Sequence, residues 1–229
     1  ARRLANGGPA GRHRMTPDQY CESRAAQSGS SFYYSFRLLP PERRRAITAL
    51  YAFCREVDDV VDEVHDPAVA RAKLAWWRTE VGAVYDGAPQ HPVAQALVPV
   101  VRSYRLPREH FDAVIDGMAM DLAQQRYADF TDLERYCHRV AGVVGLMSAE
   151  IFGHEEASTA GFARDLGIAF QLTNIVRDVA RYSAVWTRAS SSQPAGSGST
   201  SAAGPIRPRA TRPSRTFAYF PMWKTCAPM

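Results

Sequence analysis

No stretch of the chain approaches the roughly 18–20 apolar residues that a membrane-spanning helix needs. The most apolar segment, Val140 to Phe152, is broken by Ser148 and Glu150. Cysteine is sparse: Cys21, Cys54, Cys137 and Cys226 lie far apart and none belongs to a CxxC pair. That spacing argues against a disulfide framework and a zinc cluster, and fits free thiols in a reducing compartment. The six histidines form no HxxxH pair, which weakens a histidine–metal centre further. Residues 1–14 hold four arginines and no apolar core segment, so no secretory signal is expected there. A cytoplasmic protein follows as the expectation, with at most peripheral contact to a membrane. Alternating apolar runs with hairpin turn signals are missing too, which argues against a sheet.

Acids are absent from the last part of the chain. Residues 179–229 carry seven basic side chains and no acid, whereas residues 15–178 carry 17 basic and 23 acidic ones. The net charge of +5 is therefore a mildly acidic body with two basic ends. The body gives no ground to expect a nucleic-acid partner. The basic tail by itself suggests an anionic-surface binding module, but its Arg-Pro repeats lack interleaved aromatics before Phe217. Ser190 to Ser199 has linker composition, and six prolines are scattered through the last 36 residues. The expected division is a disordered basic segment 1–14, a folded domain 15–179, and a disordered low-complexity tail 180–229.

What remains between these ends is helical grammar. Thr16-Pro17-Asp18-Gln19 reads as N-cap, first-turn proline and capping-box glutamine. Asp66-Pro67 and Thr131-Asp132-Leu133-Glu134 repeat that pattern, and Pro41-Glu42 and Pro107-Arg108-Glu109 also place proline at a helix entrance. Ile47, Leu50, Tyr51, Cys54, Val57, Val61 and Val64 form an apolar stripe at spacings of three and four. The pattern predicts an all-α bundle of about seven long helices.

Three polar segments interrupt the apolar stripes. In Cys54-Arg55-Glu56-Val57-Asp58-Asp59-Val60-Val61-Asp62-Glu63, Asp58 and Asp62 stand one helical turn apart on one face, with Arg55 on the same side. Like charges at that spacing cost about 0.2–0.5 kcal/mol, so a solvated acidic face is the plain alternative. Paired carboxylates at one turn also suit Mg²⁺, a hard ion that retains water and substrate phosphate in its shell. Asp59 lies about 100° around the helix, and its replacement is expected to matter much less than that of Asp58. In Gln171-Leu172-Thr173-Asn174-Ile175-Val176-Arg177-Asp178, the side chains of Gln171, Asn174 and Asp178 share a face of an otherwise apolar helix. A structural hydrogen-bond network and a second metal or diphosphate site both account for them. Gly142, Gly145 and Ala149 line one side of the helix expected over Tyr136–Ala149, leaving a groove for close helix packing or for a long apolar ligand. Asp121 and the aromatic set Phe32, Tyr33, Tyr34, Phe36 and Tyr51 are core residues, or walls able to shield a cation through their π-faces.

Several long stretches resemble, in order, the squalene/phytoene synthase family of head-to-head prenyl transferases. They are Ser28 to Phe36, Tyr51 to Asp59, Gly117 to Leu122, Tyr136 to Gly145 and Ala169 to Asp178. Trp76-Trp77-Arg78 and Ile151-Phe152-Gly153 look most like the bacterial hopanoid-pathway branch of that family. The resemblance implies an all-α isoprenoid-synthase fold with two aspartate-rich helices facing each other at the mouth of an apolar cavity. It implies Mg²⁺ held by Asp58, Asp62, Asn174 and Asp178. Prenyl diphosphate would be bound by Arg55, Phe32, Tyr51, Gly142, Gly145, Gln171, Asn174 and Arg177, with Tyr51, Tyr136 and Arg55 carrying catalysis. The implied reaction joins two farnesyl diphosphates into presqualene diphosphate, and the longer geranylgeranyl donor of the phytoene branch is the alternative. The family's second acidic motif needs an acid four residues after Asp178, where this chain has Tyr182. A chain cut or frame-shifted after about Val179 is therefore expected, and with it an inactive fragment or slow turnover.

Overall fold

A computed structural model describes residues 15–123 and 127–191, with the side chains of Ser31, Phe32 and residues 180–191 outside the described set. The described residues form helices joined by short connections, without a strand, as the composition and periodicity predict. The helices are α1 (Pro17–Gln27), α2 (Ser31–Phe36), α3 (Pro41–Glu63), α4 (Pro67–Asp86), α5 (Pro92–Tyr104), α6 (Arg108–Ala123), α7 (Phe130–Cys137), α8 (Val143–Phe152) and α9 (Ser158–Ser191). The count exceeds the seven long helices expected because α2 is short and one expected helix is split.

The split is a π-helical turn, His138–Gly142, between α7 and α8. A π turn inserts an extra residue into the helical register, and local sequence gives little warning of it. Its neighbours explain why it persists. Val140 occupies the space where Gly117 of α6 lacks a Cβ, and the Ala141 carbonyl rests where Gly167 of α9 lacks one.

The expected helix starts largely hold. Thr16 accepts a hydrogen bond from the Gln19 backbone at 3.2 Å, and Gln19 Oε1 accepts one from the Thr16 backbone at 2.9 Å. Asp66 caps α4 through the Ala68 amide. The start of α7 lies two residues earlier than Thr131-Asp132 suggests, because Asp129 is the residue whose carboxylate caps the helix, through the Asp132 amide at 2.9 Å. At the other end of the chain, α9 runs through Ser191 and so passes the boundary expected at Val179. Residues 180–191 contain neither proline nor glycine, and alanine and arginine favour helix. The disorder expected for residues 1–14 and 192–229 falls outside the described residues.

Helix α3 is the hub. It contacts α1, α2, α4, α5, α6 and α8. From Ala46 to Cys54 every residue is buried, so the stripe read from the sequence is one side of a helix enclosed all round. Burying side chains of this size contributes about 1.5–3 kcal/mol each, which anchors the polar C-terminal half of α3. Phe53 packs edge-on against Trp77 of α4 and Phe111 of α6, with ring centres 5.7 and 5.2 Å away.

Candidate active site

The acidic segment of α3 is not a solvated face. Asp58 is completely buried, and its Oδ2 accepts from Arg55 Nη1 at 3.0 Å. The other terminal nitrogen of Arg55 reaches Asp59 Oδ1 at 2.9 Å. A buried carboxylate is tolerable when paired in this way, whereas removing one partner of such a pair typically costs about 3–5 kcal/mol. Asp62, one turn further on, is half-buried. Asp59 is more engaged than the sequence suggests. Its Oδ2 also meets Arg24 Nη2 of α1 at 2.5 Å, and Arg24 Nε reaches Glu56 at 2.7 Å.

One turn before Arg55, Tyr51 is fully buried. Burial pushes its hydroxyl above the ordinary range, offset in part by the neighbouring Ser28 and Ser30 hydroxyls and the Arg55 charge. Its ring meets Phe36 of α2 edge-on, 5.8 Å between centres. Phe36 in turn forms part of an apolar cleft of about 500 Å³ between α2, α8 and α9. Gly145, Ala149, Leu166, Gly167 and Phe170 supply much of the remaining wall. Gly145 therefore lies at the cleft, while buried Gly142 sits in helix packing beside His138 and Arg164 and is not part of the lining. The side chain of Phe32 lies outside the described residues.

On α9 the polar face begins where the cleft ends. Phe170 lines the cleft, and the next residue, Gln171, is buried, as are Asn174 and Asp178. Arg177 Nη2 approaches Asp178 Oδ1 at 3.3 Å. Gln171 Oε1 and Asn174 Nδ2 are buried without a hydrogen-bond partner among the described residues. A closed structural network would have satisfied both atoms, since each unmet group costs about 1–3 kcal/mol. Unmet amides beside carboxylates instead suit an external polar ligand. The donor set of carboxylates and amide oxygens fits a hard divalent cation. Among the described residues no three His, Cys, Asp or Glu side chains form a ready-made metal site, so substrate oxygens and water would complete any shell.

Tyr136 closes the polar surroundings near the π turn. It is fully buried, and its ring lies 5.1 Å from that of Tyr127. Burial raises its hydroxyl pKa well above the ordinary value, reinforced by the Asp121 charge. At neutral pH the phenols of Tyr51 and Tyr136 are protonated, and so can donate hydrogen bonds.

Reasoning from sequence missed Arg24, Tyr20 and the role of Asp59. Tyr20 Oη donates to Glu56 Oε1 at 2.9 Å. These contacts bridge 35 or 36 positions, and no local pattern announces them. The second wall of the cleft, Phe162 to Phe170, carried a readable signal: apolar residues at spacings of four.

A helical body that holds an apolar cleft and a buried carboxylate–arginine cluster has known counterparts. The profile of the squalene/phytoene synthase family matches residues 25–184, and the chain belongs to that family, whose members are prenyltransferases. A presqualene diphosphate synthase of Rhodopseudomonas palustris is 44% identical over 152 residues, covering 66% of this chain and 54% of that protein. A chloroplastic phytoene synthase of Daucus carota is 39% identical over 165 residues, covering 69% of this chain and 42% of its own length. The crystal structure of a dehydrosqualene synthase superposes with a TM-score of 0.65 at 34% identity, covering 71% of this chain and 56% of that one. The chain spans about half the length of the curated relatives it matches.

Proposed function

We propose that this chain carries part of the active site of a prenyltransferase that condenses two farnesyl diphosphates head to head into presqualene diphosphate. One observation carries the reading: two wall residues of the apolar cleft connect it to the polar helix segments. Phe36 leads through Tyr51 to Arg55 and Asp58, and Phe170 leads directly to Gln171, Asn174 and Asp178. A long apolar tail with an anionic head has the matching chemistry, and a cleft of about 500 Å³ falls within the ordinary range for ligand sites of about 300–1,000 Å³.

Arg55 and Arg177 would bind diphosphate oxygens, and the unmet amides of Gln171 and Asn174 would orient the head group. Asp58, Asp62, Asn174 and Asp178 would hold magnesium, which when bound supplies Lewis-acid neutralisation of the leaving diphosphate. The apolar wall would exclude water from the allylic cation left when the C–O bond breaks, and Phe36 and Phe170 of that wall would offer π-faces to it, with Tyr51 packed behind Phe36. The cation alkylates the double bond of the second substrate, and loss of a proton closes the cyclopropane. No reductant is consumed. The similarity to phytoene synthases supports a second reading, in which geranylgeranyl diphosphate is the donor.

Mass spectrometry after incubation with Mg²⁺ and either diphosphate tests both readings. Slow formation of presqualene diphosphate from farnesyl diphosphate, lost in Asp58→Asn, is the expected result. A coupled product from the longer donor alone would favour the second reading. Failure to consume either diphosphate would overturn both.

A further inference from the structure

Five side chains, Arg24 from α1 and four from α3, form a line of alternating charge that ends at the buried carboxylate of Asp58. Glu56 meets Arg24 at 2.7 Å, Arg24 meets Asp59 at 2.5 Å, Asp59 meets Arg55 at 2.9 Å, and Arg55 meets Asp58 at 3.0 Å. Tyr20 steadies the outer end by donating to Glu56. The side chains of Arg55 and Asp59 are each 13% exposed, and that of Asp58 is not exposed at all. Glu56, Asp59 and Arg24 also face a second cavity, walled by Trp76, Trp77 and His91, which does not include Asp58.

The division of Asp59's two oxygens decides the geometry. Arg24 takes Oδ2, which leaves Oδ1 for a single nitrogen of Arg55. The other terminal nitrogen of Arg55 is then directed at Asp58. Without Arg24, Asp59 could accept both nitrogens of Arg55 in the two-pronged arrangement that guanidinium and carboxylate favour. Arg55 would turn away, and Asp58 would lose its cation. We infer that Arg24 and Asp59 are positioning residues that hold Arg55 against Asp58 in the orientation a diphosphate requires. The inference rests on the function proposed above, and it gives Asp59 a positioning role beyond the expectation that its replacement matters much less than that of Asp58.

Calorimetric binding of inorganic pyrophosphate with Mg²⁺ to the full chain tests it, with thermal unfolding followed in parallel. Arg24→Gln and Asp59→Asn are each expected to weaken binding by about tenfold or more, the usual size of an effect from residues behind the ligand shell. Arg24→Lys, which retains one contact to Asp59, recovers most of that loss. Arg78→Gln breaks the pair with Asp116 elsewhere on the surface and leaves binding unchanged, which separates positioning from general stability. If Arg24→Gln does not fold, Asp59→Asn and Arg24→Lys carry the comparison. Parent-like binding by Arg24→Gln and Asp59→Asn, with binding lost in Asp58→Asn, would overturn the positioning role and leave the proposed function standing. Undiminished binding in Asp58→Asn, or none in the parent, would overturn the proposed function and this inference with it.

Discussion

Gly145 of α8 lies so close to Ala163 of α9 that an added Cβ would stand 2.2 Å from the Ala163 carbonyl oxygen. The obstacle is backbone, which cannot swing aside as a side chain would, so any larger residue must push the two helices apart. Gly145→Ala is expected to lower stability by about 1–3 kcal/mol. For a chain of this size that is a fall of roughly 2–4 °C in Tm per kcal/mol, measured by thermal denaturation followed by circular dichroism. An unchanged Tm would show that the α8–α9 contact is looser than described.

Gly161 is the contrasting case. It lies in the first turns of α9, and a Cβ there would meet nothing within 4 Å. Gly161→Ala is therefore expected to raise stability by about 0.4–1 kcal/mol, because alanine has less freedom to lose on folding. Chemical denaturation of the two variants side by side checks the contrast, and a drop for Gly161→Ala would contradict the open surroundings.

Burial pushes the thiols of Cys21, Cys54 and Cys137 from 9.0 up to about 12. A pKa raised in the folded state contributes stability that is fully present below the unfolded value and is lost as pH rises through the folded one. Stability should therefore fall between about pH 9 and pH 12, and less steeply in Cys54→Ala. Melting curves across that window decide the matter. With Cys226→Ala as background, a thiol reagent at pH 8 should modify none of the three until the chain is unfolded. Rapid native modification of Cys54 would contradict its burial.

Tyr136 offers a test of the polar interior. Its hydroxyl sits in the field of the Asp121 carboxylate, within a site where its ring is fully buried. Tyr136→Phe keeps the ring and deletes the donor, so a loss of about 1 kcal/mol is expected with the helical signal intact. Tyr136→Leu removes the ring as well and should cost more. Equal stability of Tyr136→Phe and the parent, read from urea unfolding, would show that the hydroxyl contributes nothing net.

Much of the site was legible where its geometry is local. Arg55 and Asp58 stand three residues apart, so a helix of any origin brings them together, and the sequence pattern identifies the pair. The same holds for the shared face of Gln171, Asn174 and Asp178. Arg24 is different. Its partners lie on another helix, and its position over Asp59 depends on how α1 docks against α3. The groove of Gly142 and Gly145 also needed the fold to resolve it, because a missing side chain can admit either a neighbour or a ligand. The structure gives Gly142 to packing, and gives Gly145 both an immediate neighbour in Ala163 and a place on the cleft wall.

Helical class, the starts at Thr16, Pro41 and Asp66, and the Arg55–Asp58 pair were determined by the sequence alone, because hydrogen bonds and side-chain spacings within a turn depend only on neighbours along the chain. The tertiary structure decided the π turn, the burial of Asp58, the cleft between Phe36 and Phe170, and the bridge from Arg24 to Asp59. Each of these arises where surfaces far apart in sequence meet. Close packing then selects among local conformations that the chain by itself leaves nearly equal in energy.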